Sequence, residues 1–250
     1  MTKPSEKNRS AHPPPAFYAA GSGWREYVTL LHPPYTLWHL SYVCIGWASS
    51  PRVATERLLP LLAAFFLAVG VGAHALDELN GRPLRTAIPT PALIAAAVTS
   101  IGAAMAIGVF QAAATSWSVL WFVAFGGAIV VAYNLELFGG RMHSDIWFAL
   151  AWGAFPALTA SWASALAFNV PGLLVAAACF ALSLAQRALS TPARTLRRRV
   201  TRVTGTLEYH DGTTAPVDAG YLRAAPERAL KAMSVALPLL ALGLVALRLE

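Results

Sequence analysis

Seven apolar stretches, most of roughly membrane-spanning length and the first short enough to begin upstream of its prolines, constrain this 250-residue chain more than any other feature. They run over 35–49, 58–74, 91–110, 116–135, 146–162, 170–188 and 229–247. Hydrophobic residues make up 56% of the chain and charged residues 12%, where a soluble domain carries about 25% charged. Together with the positive mean hydropathy, the pattern predicts an all-α protein, a polytopic transmembrane helical bundle of about seven spans. Residues 1–20 are polar and Pro-rich and lack an apolar centre. They do not read as a cleaved signal peptide, so membrane insertion is expected to use the first span.

Residues 1–30 are expected to be a disordered tail with an interfacial piece around Trp24-Arg25-Glu26-Tyr27. His32-Pro33-Pro34 then breaks the chain, because Pro lacks an N–H and disfavours helix in the residue before it. From 31 to 250 the sequence reads as one transmembrane domain carrying a cytoplasmic insertion at 189–227. Within that insertion, Asp211-Gly212 between Thr-, Leu- and Tyr-containing flanks is a hairpin signal. Cys44 and Cys179 each lie in an apolar span, which points to packing and not to a disulfide or a metal framework.

Charge orients the bundle. With the N-terminus in the cytoplasm, sixteen of the nineteen Lys/Arg fall inside, and only Arg52, Arg57 and Arg248 fall outside. This is the asymmetry that the positive-inside rule describes. The net charge of +7 therefore belongs to topology and to contact with membrane lipid; nucleic acid is not an expected partner.

In that orientation the polar helix ends all open on the cytoplasmic face. The richest is 72–85, which holds His74, Asp77, Glu78, Arg82 and Arg85 although the whole chain has only twelve acidic residues. Ionisable groups at the edge of hydrocarbon are costly to keep and mark a candidate site. His74 and Asp77 are three apart and share a helix face. Asp77 is a hard ligand suited to Mg, which is commonly held through one or two carboxylates plus substrate phosphates. Arg82 and Arg85 can clamp phosphate oxygens, and the set can stabilise a departing diphosphate by preorganised charge. The plainer reading is that these groups solvate a helix end, with Arg82 or Arg85 paired to Asp77 or Glu78. Glu136, Arg141, His143 and Asp145 form a second polar group. With His74 and Asp77 they include the residue types of a transition-metal site, but no tight ligand signature is present. His39 reads as a hydrogen-bonded packing residue. Phe65, Phe66, Phe122, Phe125, Phe148 and Phe155 read either as core and lipid-facing groups or as the lining of an apolar channel.

Four features resemble the UbiA-type intramembrane prenyltransferase superfamily. They are the entry His32-Pro33-Pro34-Tyr35-Thr36-Leu37-Trp38, the acidic motif followed by Arg82-Pro83-Leu84, the run from Tyr133-Asn134 through Arg141 into Trp152-Gly153-Ala154-Phe155-Pro156, and the loop after the sixth span. The resemblance implies a UbiA-like bundle that transfers a prenyl group from an isoprenoid diphosphate to a lipophilic acceptor. Asp77 would hold Mg, with Arg82 as its companion and Tyr133 and Arg141 touching substrate. Asp77 is the one acid matched in the family's first Asp-rich motif, and Gln186-Arg187-Ala188-Leu189-Ser190, where the second should fall, contains none. The alternative expectation is a non-catalytic membrane protein on the same scaffold, binding an isoprenoid or lipid or serving a partner.

Overall fold

The structure, a computed structural model, describes residues 23–250. Most of the tail expected over 1–30 lies outside the described residues; its last part forms a short helix, α1 (Arg25–Leu30). Then follow α2 (Pro33–Ser49), α3 (Thr55–Leu79), α4 (Thr90–Ala114), α5 (Val119–Asn134), α6 (Asp145–Ala165), α7 (Val170–Arg198) and α8 (Ala219–Leu249). The described chain is all-α apart from one two-stranded hairpin. Among the described residues five helices, α3, α4, α6, α7 and α8, are long and apolar enough to cross a membrane. The other two expected spans are shorter: α2 has 17 residues and α5 has 16. At α2 the cause is local. His32 caps it in a left-handed conformation (φ +44°) and prolines follow at once, so the helix cannot extend upstream.

The chain divides into two compact units. Of the described residues, the larger comprises 23–184 and 234–250. Its core joins the second half of α3 to α4, α5 and α6 through Val69, Ala73, Leu76, Leu93, Ala97, Val130, Tyr133 and Trp152. A smaller cluster packs Val43 and Trp47 of α2 on Ala160 of α6. These helices approach so closely at Gly46 that an added Cβ would fall 2.1 Å from the carbonyl oxygen of Ala157. Close backbone contact of this kind is how helices associate where no hydrophobic effect drives them together. Both α3 and α6 contain wide π-type turns, at Phe66–Ala73 and Ala149–Ala154. The segments are made of small and apolar residues, and a Cβ on Gly153 would meet the Ser183 hydroxyl at 2.5 Å.

The smaller unit includes 185–233. Here α7 continues about ten residues beyond the expected end of its span, and α8 begins about ten before the expected start of its own. The first part of the basic run Arg194–Arg202, as far as Arg198, and the segment after Asp218 are therefore helical, and the insertion is shorter than 189–227. Between the helices, β1 (Gly205–Glu208) pairs antiparallel with β2 (Thr214–Val217), Glu208 opposite Thr214, as Asp211-Gly212 predicts. Gly212 takes φ +79°. Asp211 Oδ1 accepts from the Thr213 hydroxyl at 2.6 Å and the Thr213 N–H at 2.9 Å, which holds its carboxyl below the usual carboxylate range.

Replacing Gly46 by Ala is expected to destabilise the larger unit by about 1–3 kcal/mol, the usual cost of overpacking a filled contact. Equilibrium unfolding of the purified protein in mixed micelles measures it; an unchanged midpoint would contradict the α2–α6 contact.

Candidate functional site

The polar stretch singled out in the sequence forms the last turn of α3 and the loop to α4. That loop is tight: Gly81, Arg82 and Arg85 all have positive φ (+90°, +49° and +56°). Glu78 organises it. The side chain is 0% exposed; Oε2 accepts from the Leu84 N–H at 2.9 Å, and Oε1 accepts from the Thr86 N–H at 2.8 Å and the Thr86 hydroxyl at 2.9 Å. Buried polar groups are stable only when bonded in this way. Arg82 closes the other side. Its Nη1 donates to the carbonyl oxygens of Thr86 (3.0 Å) and Ile88 (2.9 Å), and its Nη2 to the Thr90 hydroxyl at 2.9 Å. Ala87 N–H donates to Glu26 Oε2 of α1 at 2.6 Å. Glu78 and Arg82 thus each bond the loop, not one another.

The remaining residues are arranged around this frame. His74 sits one turn before Glu78, its Nδ1 3.0 Å from the carbonyl oxygen of Gly70 and its ring centroid 4.7 Å from that of His32. Asp77 is half-buried and Arg85 is exposed. Asn80 donates to the carbonyl oxygen of Asn134 at 3.1 Å, joining this loop to the end of α5. Tyr133, 5% exposed, stacks on His143 with centroids 4.5 Å apart and lies 4.6 Å from Trp152. His143 Nδ1 is 3.2 Å from the Tyr133 carbonyl oxygen and 3.9 Å from Glu136. Arg141 is exposed on the same loop. His39 Nδ1 lies 2.8 Å from the Trp152 carbonyl oxygen and serves packing between α2 and α6.

Among the described residues, no three His, Cys, Asp or Glu side chains stand close enough to share a metal ion. With Glu78 turned into its loop, Asp77 is the only carboxylate that this stretch offers toward Mg, a thin donor set for an ion that prefers octahedral oxygen ligation.

The larger unit also contains a cavity that the motif does not line. It is a half-open apolar recess of about 120 Å³. Its walls are the first half of α3, the second half of α4, the first half of α5 and the second half of α6. It therefore occupies the end of these helices opposite to His74–Arg85. Phe65, Phe122 and Phe155 line it, with the small residues Ala64, Ala68 and Ala104 beside them. Of the other phenylalanines, Phe66 and Phe125 are exposed, and Phe148 belongs with Tyr133 and Trp152. Polar groups are few. Arg57 Nη1 donates to the carbonyl oxygen of Ala163 at 2.6 Å, capping the end of α6. Thr159 is 8% exposed and its hydroxyl has no hydrogen-bond partner. Of the six phenylalanines that the sequence offers as a channel lining, Phe65, Phe122 and Phe155 line this space. Its place in the fold is not legible in the sequence, because the small residues of four helices leave room only when those helices face one another.

Comparison with protein-family models, with curated proteins and with solved structures finds no match to this chain.

Substituting Glu78 by Ala strands two backbone N–H groups and one hydroxyl in a buried place. The expected loss is about 3 kcal/mol, within the cost of buried unsatisfied donors, with Gln less severe. Amide exchange at Leu84 and Thr86 checks it; unchanged protection in the Ala variant would remove Glu78 from this role.

Proposed function

We propose that this protein is an integral membrane binder of a lipophilic chain, isoprenoid or other lipid, on a UbiA-like scaffold. The cavity between α3, α4, α5 and α6 carries the reading. Its wall is aromatic and aliphatic over nearly its whole extent, so an apolar chain fills it through dispersion contacts without desolvating a polar group. The charged motif supports binding over transfer, because Glu78 and Arg82 are engaged in folding their own loop.

Prenyl transfer is the second reading, and one observation favours it. The Asn80–Asn134 hydrogen bond draws the α3–α4 and α5–α6 loops together, so Asp77, Arg85 and Arg141 belong to one end of the bundle. There Asp77 would hold Mg and the arginines the phosphates of an isoprenoid diphosphate, with a lipophilic acceptor reached from the membrane. The two readings separate in a binding titration of the detergent-solubilised chain with tritiated farnesol and farnesyl diphosphate. The cavity reading predicts saturable farnesol binding without Mg, weakened about tenfold or more by Ala64→Phe through lost methylene burial and unaffected by Asp77→Asn. Mg-dependent binding of the diphosphate alone, abolished by Asp77→Asn, would establish the transferase reading instead.

The charge distribution supports a cytoplasmic N-terminus, with the His74–Arg85 loop and the 199–218 segment on the same side. Cysteines introduced at the exposed positions Thr206 and Ser118 should then react with an impermeant thiol reagent only from the cytoplasmic and only from the outer side, respectively. The reverse pattern would invert the protein.

A further inference from the structure

The described residues 185–233 carry nine Lys/Arg against four Asp/Glu. Three of the four acids serve the unit's own architecture. Glu227 Oε1 accepts from Arg197 Nε at 2.6 Å and lies 3.7 Å from Arg223 Nη1. Asp211 closes the hairpin turn through Thr213, and Asp218 caps α8 by accepting from the Tyr221 N–H at 2.7 Å. The basic side is not balanced in the same way. Arg194, Arg199, Arg202 and Arg228 are exposed, and among the described residues none of them pairs with an acid. The Arg197–Glu227 bond holds the end of α7 against the first part of α8, so Arg194 of α7, Arg199 just past its end and Arg228 of α8 belong to one basic region. Tyr221 and Leu222 near the start of α8 are also exposed, at 52% and 44%.

We infer that this basic region binds the headgroups of anionic phospholipids in the membrane that the protein spans. Chain continuity supplies the first argument. Both α7 and α8 run from this unit into stretches apolar enough to cross a membrane, which tethers the arginines within reach of a headgroup layer. Charge and shape supply the second. A guanidinium presents a planar fork of donors that matches two phosphate oxygens at once. Exposed Tyr beside Leu suits the boundary between headgroups and acyl chains, a contact that free phosphate does not offer.

The test titrates the detergent-solubilised full chain with phosphatidylglycerol and with phosphatidylcholine of the same acyl chains, counting bound lipids by native mass spectrometry. Phosphatidylglycerol is expected to bind at least tenfold more tightly. Arg199→Gln should weaken it about fivefold, which is the roughly 1 kcal/mol that each basic residue gains near an anionic surface. The combined variant Arg194→Gln, Arg199→Gln, Arg202→Gln and Arg228→Gln should erase the preference. It leaves Arg197–Glu227 intact, and an unchanged circular dichroism melt shows that it folds. Arg52→Gln, exposed outside this unit, should leave lipid preference as it was. Equal affinity for the two lipids overturns the inference, as does a preference that survives the combined variant. Displacement of the lipid by a short DNA duplex at lower concentration, or by inorganic phosphate alone, overturns it in favour of those ligands.

Discussion

A backbone amide in hydrocarbon has no water to bond, and every unpaired N–H or C=O there costs several kcal/mol. This constraint explains why the chain is helical wherever it is apolar, and also why its departures from helix are so closely bonded. The clearest case is the turn between α3 and α4. The residues after Leu79 leave the helix, and the freed donors at Leu84 and Thr86 are taken up by one buried carboxyl group, Glu78. Arg82 takes the freed carbonyls of Thr86 and Ile88 on the other side. Glu78 and Arg82, an acid and a base that the sequence offers as an ion pair or as site residues, are the means by which the chain turns back toward α4.

The same constraint separates what the sequence makes legible from what it hides. Apolar length and composition suffice for the class of fold, since a run such as 91–110 has no other stable form in a bilayer. The hairpin is equally readable, because Asp211-Gly212 supplies the positive φ that its turn needs. Helix ends are less readable. The basic run Arg194–Arg202 looks like the beginning of a loop by hydropathy alone, yet Leu and Arg are good helix formers, α7 takes in the run as far as Arg198, and the Arg197–Glu227 bond secures the extension. Site chemistry is the least readable. Glu78 and Asp77 are adjacent and chemically alike, and only the path of the following loop decides that one is buried while its neighbour is half-exposed.

Two parts of this chain are of opposite character. The recess among α3, α4, α5 and α6 is nearly devoid of polar lining, whereas 185–233 exposes Arg194, Arg199, Arg202 and Arg228 with no acid beside them among the described residues. A molecule that is lipophilic throughout suits the first, and an anionic headgroup suits the second. The polar loops at 80–86 and 135–144 are built chiefly from bonds that the protein makes to itself.

The π-type turns in α3 and α6 have a geometric effect of their own. An i→i+5 turn accommodates one more residue than an α turn, so the helix beyond it is rotated relative to the helix before it. In α3 the cavity wall lies mostly before the end of Phe66–Ala73, and His74, Asp77 and Glu78 lie after it. The direction in which these side chains point is therefore not a continuation of the stripe that Leu61 and Phe65 begin. A single rod carries two independently phased faces, one given to packing around an empty space and one to steering the chain out of the membrane.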